Sequence, residues 1–377
     1  MATVFPQQPP VQRLSFTGRL RTFWRRVTEG LEVSQLWSQF EGEARTSYRL
    51  YSRDARAKTP EGLAPRSRRV KIFKEFFWAV MEKLSPARRV LLLVALILLC
   101  GGFHIIQLNS QFWGGLLLFL LLILEIADRV VMKRDLQIAR EIQTWLLPGA
   151  APQIPGLVIA YTTRPANTVA GDYYDVFPRP GRTPDKNRVV LAVADVAGKS
   201  IPAAILMATF QASLKTLSTA QVALPELVAN MNRYACSNSQ GGLRFTTAFL
   251  AEYDPVRRTL DYINAGHNQP IWRRRNGSIE RLDVGGLPLG IQPEAKYESA
   301  SIAVAPGDWL LIFTDGLVEA ENSHQEEYGE TRVLSAIAAG AALKPGEMLK
   351  RLMTELDQFV GQTPQHDDVT LMLLKAE

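Results

Sequence analysis

The chain has very little cysteine. Only Cys100 and Cys236 occur among its 377 residues, in unrelated surroundings, which excludes a disulfide framework and a cysteine-based zinc site. Residues 1–17 are rich in proline and glutamine and lack a charged stretch followed by an apolar one. They read as disordered, with no cleaved secretory signal. No internal repeat is present. Charge of one sign is also modest, at +6 net. The excess is concentrated at Arg66, Arg68, Arg69, Lys71, Lys74, Lys83, Arg88 and Arg89, just ahead of an apolar segment. That position favours anionic lipid headgroups over nucleic acid, so no nucleic-acid partner is expected.

Apolar side chains are plentiful. They make up 47% of the sequence, enough for a substantial core in a chain long enough for more than one domain. Apolar residues at helical spacing mark an amphipathic helix over 23–40. A second, with Val70, Phe73, Phe77, Val80 and Leu84 interleaved with lysines, suits either the headgroup layer or packing on its own neighbours. Residues 90–108 carry no formal charge, and 112–127 form a shorter apolar run with Glu125 near its end. Together they predict a transmembrane hairpin, or one span plus an interfacial segment. Arg88 and Arg89 before it, and Arg129, Lys133 and Arg134 after it, place both flanks in the cytoplasm at the inner membrane. His104 reads as a packed or interface-facing residue. Residues 128–147 continue as a charged helix, with Leu136, Ala139, Ile142 and Leu146 on one side, which fits a linker able to pair two chains. The expected division is therefore a basic cytoplasmic region at 1–89, the hairpin at 90–127, the linker at 128–148 and a soluble domain at 149–377.

In that domain, strands are expected at 157–161, 173–177, 189–193, 247–252, 260–264, 270–273, 299–304, 309–314 and 369–374. Helices are expected at 202–217, 225–235, 331–339 and 345–360. Strands at hairpin spacing interrupted by paired helices predict an α+β fold, a sheet-on-sheet core flanked by helices. The stretch 189–207, VVLAVADVAGKSIPAAILM, organises it. Its β-branched run suits a buried strand that ends in Asp195, followed by a turn at Gly198, Ser200 as N-cap and Pro202 in the first helical turn.

A lone Asp after a strand is usually a turn former, but Asp195 has company. GDYYD spans Asp172 and Asp175, the apolar run 309–314 ends in Asp315 and Gly316, and Asp367 and Asp368 directly precede VTLMLL. Converging carboxylates repel one another unless cations sit between them, and ligands that are all oxygen select hard ions such as Mg²⁺ or Mn²⁺.

The ordered set AREIQTWLLP, AGDYYDVF, DVAGKSIPAAILM, FTTAFL, INAGHNQP, GGLPLG, PGDWLLIFTDGLVEA and HDDVTLMLL resembles the bacterial branch of the metal-dependent serine/threonine phosphatases. This is the PPM or type 2C family, with its stress-response and sporulation members, and the resemblance runs from Asp135 onward. It implies a β-sandwich of two antiparallel sheets in an α-β-β-α arrangement. It also implies two Mn²⁺ or Mg²⁺ ions at Asp172, Asp195, Asp315 and Asp367, with the Val196 carbonyl as a main-chain ligand and Asp368 as an outer or extra-metal residue. Metal-activated water would then hydrolyse phosphoserine directly on a regulatory protein resembling an anti-sigma-factor antagonist.

The chain departs from the family pattern in having Ala170 before Gly171 and Ser200 where glycine is common. Lys199 is a phosphate-binding candidate or a solvated helix-start lysine, and Arg164 is a weak candidate for gripping phosphate. His267 in AGHN reads as structural, with general acid as the alternative. GGLPLG lacks the Lys-Ser/Thr of a P-loop, and Thr246 and Thr247 read as sheet residues. Two other functions stay open: a membrane-anchored scaffold without turnover, and a metal-dependent hydrolase of nucleotides or phosphodiesters.

Overall fold

A computed structural model describes residues 84–377 except 102–103, 106–107, 182–186, 199 and 240–243, together with Lys74, Phe77, Trp78 and Met81. The expected helix at 23–40, the disordered start, most of the basic cluster and Lys199 lie outside the described residues. The chain divides into two compact units, Met1–Asp128 and Arg129–Glu377.

In the first unit, α1 (Pro86–Gly101) and the start of α2 (Ser110–Leu146) flank a two-residue ladder of β1 (His104–Ile105) and β2 (Leu108–Asn109). The two helices touch where Gly114 leaves room. A Cβ there would lie 2.9 Å from the Ala95 carbonyl oxygen and from Leu99 Cγ. Arg88 pairs with Asp128 at 2.6 Å. The transmembrane expectation is not met in the form stated. Among the described residues no helix is long and apolar enough to cross a membrane. The segment 90–108 is not one helix, because α1 stops at Gly101 after 16 residues. At 1.5 Å per residue, that length falls short of a hydrocarbon core of about 30 Å.

The second unit is a four-layer sandwich. Sheet one joins β4 (Tyr173–Arg179), β5 (Arg188–Val196), β6 (Thr246–Asp254) and β7 (Thr259–Ala265) antiparallel; β10 (Gly285–Gly286) and β11 (Ala300–Ala303) both pair with β7. Sheet two runs β3 (Leu157–Arg164), β13 (Val369–Ala376), β12 (Trp309–Phe313), β8 (Ile271–Arg273), β9 (Ile279–Arg281), antiparallel throughout. The period-2 alternation of side chains along each strand builds three cores. On β5, Leu191 and Val193 face the other sheet and meet Leu310 and Ile312 of β12 in the central core. Val190, Ala192 and Ala194 of β5 pack outward on Met207, Phe210 and Leu214 of α3 (Ile201–Leu217) and on Leu227 and Met231 of α4 (Leu224–Ser237). Trp309, Leu311 and Phe313 of β12 pack on Val333 and Ile337 of α6 (Glu330–Ala339) and on Met348, Leu352 and Leu356 of α7 (Pro345–Val360). Each fully buried aliphatic side chain of this kind contributes about 1.5–3 kcal/mol. The α+β sandwich is thus as the sequence led us to expect.

Smaller differences have local causes. A one-turn helix, α5 (Asp315–Val318), follows β12 where the sequence reading had only a turn. Ser200 stands at the N-cap position of α3 but makes no side-chain cap; its φ of 64° and ψ of −145° belong to glycine's territory. Ile142 does not share a face with Leu136, Ala139 and Leu146. It is exposed, as are Ile138 and Trp145, while Gln143 is buried.

Candidate metal centre

The acidic turns gather at one edge of the sandwich because each sits at a strand end. Asp172 immediately precedes β4 and Asp195 is next to last in β5, both in sheet one. Asp315 follows β12 by two residues and Asp367 precedes β13 by two, both in sheet two. Asp172 is buried; Asp195, Asp315 and Asp367 are half-buried. Thr314 Oγ1 donates to Asp172 Oδ2 at 2.9 Å, and the Thr370 amide donates to Thr314 Oγ1 at 2.9 Å. Sheet two thereby orients the first carboxylate of sheet one.

Close approaches confirm the crowding. A Cβ on Gly171 would fall 3.2 Å from the Val196 carbonyl oxygen and 3.8 Å from Asp195 Oδ1. A Cβ on Gly316 would fall 2.1 Å from the Asp368 carbonyl oxygen, so the Asp315-Gly316 turn is pressed onto the Asp367-Asp368 turn. Burial drives the Asp172 carboxyl well above the usual carboxylate range; the charges of Asp195 and Asp368 push it further, while Thr370 and Thr314 oppose them. Two carboxylates this close cannot both ionise cheaply without a cation.

Asp368 does different work. Its Oδ1 accepts from the Ala166 amide at 2.7 Å and its Oδ2 from the Gly171 amide at 2.6 Å. Its oxygens hold the backbone that presents Asp172, which favours the outer role over a ligand role. Asp367 Oδ1 accepts from the Asp368 amide at 2.9 Å. Asp175, the second acid of GDYYD, points away from this edge. It takes a hydrogen bond from Tyr173 Oη at 2.7 Å and pairs with Lys215 of α3 at 2.7 Å.

The donor set, carboxylates and the Val196 carbonyl, fits hard divalent ions. Among the described residues no three Asp, Glu, His or Cys side chains stand close enough to cage one ion as they are. The charge of Asp195 bears on the buried Asp172 carboxyl, while Asp315 and Asp367 stand at strand ends of the facing sheet. Beside Asp367 opens a cavity of about 230 Å³ lined by Arg164, Gly316, Glu319, Gln365 and His366. Arg164 is already paired with Asp357 of α7.

Two contributors escaped the sequence reading. One is Thr314, whose signal was a hydroxyl at the end of a buried strand directly before Asp-Gly. The other is Gln143 of α2. Its Nε2 donates to the Ala170 carbonyl at 2.7 Å and its Oε1 accepts from the Ala170 amide at 2.9 Å. A polar residue on the stripe of Leu136, Ala139 and Leu146 was the clue.

Two facing sheets, antiparallel except for the short β10–β7 pair, helices on both outer faces and aspartates at one shared edge define a PP2C-type phosphatase domain. The solved SiaA-PP2C domain of Pseudomonas aeruginosa has the same fold: TM-score 0.58 and 20% identity over 67% of this chain and 99% of that one. The chain belongs to the SpoIIE family, whose model, described as Stage II sporulation protein E (SpoIIE), matches residues 185–377, just over half of it. Among curated proteins it is similar to the phosphoserine phosphatase RsbU of Bacillus subtilis (strain 168), with 28% identity over 247 residues, 65% of this chain and 70% of RsbU. It is also similar to the phosphoserine phosphatase RsbP of the same organism, at 24% over 190 residues, but spans less than half of RsbP's length.

Proposed function

We propose that this protein hydrolyses phosphoserine on a regulatory protein of the anti-sigma-factor-antagonist type, at a binuclear Mn²⁺ or Mg²⁺ centre held by Asp172, Asp195, Asp315, Asp367 and the Val196 carbonyl. The observation that carries the reading is the meeting of acidic turns from both sheets at one edge, where Thr314 of sheet two holds the buried Asp172 carboxylate of sheet one; burial and the charge of Asp195 raise that carboxyl. Relatives named as phosphoserine phosphatases support the substrate class. When bound, divalent ions supply an acidified water and offset charge on phosphoryl oxygens. The chain's own residues prepare for this: Thr314 fixes the rotamer of Asp172, Asp368 fixes the Gly171 backbone, and Gly171 leaves the Val196 carbonyl open. The phosphopeptide would enter over the cavity beside Asp367.

We place the domain on the cytoplasmic face of the inner membrane. Exposed Val90, Ile97, Phe112, Phe119 and Leu122 of α1 and α2 would provide the attachment. A second copy would pair along Val131, Ile138, Ile142 and Trp145, all exposed and near heptad spacing. The deciding experiment measures Mn²⁺-dependent phosphate release from a phosphoserine peptide, against a nucleotide and a phosphodiester. Release from the peptide, abolished in Asp195→Asn, is expected. Preferential turnover of the nucleotide or diester, or no turnover at all, would refute it.

A further inference from the structure

His267 is a buried imidazole that the metal reading leaves without a task. It follows β7 through Gly266, which has a φ of 69° and lies against Pro288: a Cβ on Gly266 would lie 2.4 Å from Pro288 Cγ. The backbone there is held independently, since the His267 amide donates to Asn264 Oδ1 at 2.7 Å. The residue is only 5% exposed. Its Nδ1 lies 3.1 Å from Thr247 Oγ1, and that hydroxyl lies 3.4 Å from the Asp195 carbonyl oxygen, its cross-strand neighbour. Nε2 is buried without a formed hydrogen bond, and the Phe313 backbone on β12 acts on the ring. The Thr247 hydroxyl has one proton for two acceptors, Nδ1 and the Asp195 carbonyl; where it goes to Nδ1, the ring proton sits on Nε2. Burying an imidazole this way costs stability that an apolar side chain of similar volume would not.

The location gives that cost a use. Thr247 stands opposite Asp195 in sheet one, and Phe313 is two residues before Asp315 in sheet two. The aspartates come two from each sheet, so the gap between β6 and β12 at this edge sets how far apart the two pairs stand. We infer that His267 is a positioning residue for the metal centre, a polar strut from Thr247 on β6 toward Phe313 on β12 that holds the two aspartate-bearing sheets at the separation the ions need. The inference rests on the metal reading proposed above. It assigns His267 no contact with substrate and no proton transfer.

The test titrates the full chain with Mn²⁺ and follows free Mn²⁺ by electron paramagnetic resonance, with thermal unfolding recorded alongside. His267→Leu fills the space without the strut and should weaken Mn²⁺ binding at least about tenfold, whereas His267→Gln, which can accept from Thr247 and donate toward Phe313, should stay within about threefold of wild type. Thr247→Val should reproduce the loss and Thr247→Ser should not, which decides the matter if His267→Leu fails to fold. Wild-type Mn²⁺ affinity in folded His267→Leu or in Thr247→Val overturns the inference and leaves the metal reading standing. Absence of Mn²⁺ binding by the wild type overturns both.

Discussion

Replacing His267 by glutamine should remove most of one identifiable slope from the dependence of stability on pH. Burial pushes the His267 imidazole down to about 4, against about 6.5 in an unfolded chain. Between those values the unfolded protein takes up a proton that the folded protein refuses, so stability is intact above about pH 6.5 and falls as the pH drops toward 4. The full effect is about 3 kcal/mol, of which about 2 kcal/mol is already lost at pH 5. Asp172 works in the opposite direction. Its folded carboxyl is raised, so without metal its contribution declines as pH rises through the window above its unfolded value. That contribution is common to both proteins and cancels in their difference. The assay is urea unfolding in chelator, followed by circular dichroism, at steps from pH 7.5 to 5. Wild type should lose about 2 kcal/mol more than His267→Gln over that range. Parallel curves would falsify the burial argument and, with it, a neutral ring beneath the site.

Three other substitutions test separate links. Gln143→Ala leaves the buried amide and carbonyl of Ala170 without partners; it should destabilise the domain by about 2–4 kcal/mol in urea unfolding and weaken Mn²⁺ binding. A fragment beginning at Pro148 should show the same weakening, because it lacks Gln143. Ser200→Gly relieves the positive φ at the start of α3 and should stabilise by about 1 kcal/mol, read as a higher unfolding midpoint. Gly285→Ala would place a Cβ 1.9 Å from the Asn264 carbonyl oxygen and should cost about 3 kcal/mol or more, or prevent folding.

The sandwich was legible because its signals are local and mutually consistent. Val189 to Val193 and Trp309 to Phe313 are runs whose strand character needs no knowledge of their neighbours, and α3, α4, α6 and α7 fell within two residues of expectation. The short β9 and β10 were not legible. Gly285-Gly286 pairs with β7 because Asn264 leaves no space for a side chain, a fact of tertiary packing. Asp368 illustrates the same boundary at the site. Its acidity can be read from the sequence, but its use of both oxygens on the Ala166 and Gly171 amides depends on a partner about 200 residues away. The apolar hairpin misled for a simpler reason, since absence of charge over 90–108 says nothing of where a helix stops, and α1 stops at Gly101.

The place of β13 between β3 and β12 carries a consequence for synthesis. The earliest strand of the domain waits for the latest, with Leu157 opposite Ala376 and Arg164 opposite Val369, so a chain that has not yet reached β13 has half a sheet and an open seam. Asp367, Asp368 and the amide that steadies Thr314 all arrive with that closing segment. Contacts so distant in sequence form late, and a product stopped before β13 would have no assembled pocket at all. The pocket is therefore finished by β13, and a partner that arrives before that strand has paired meets a domain without it.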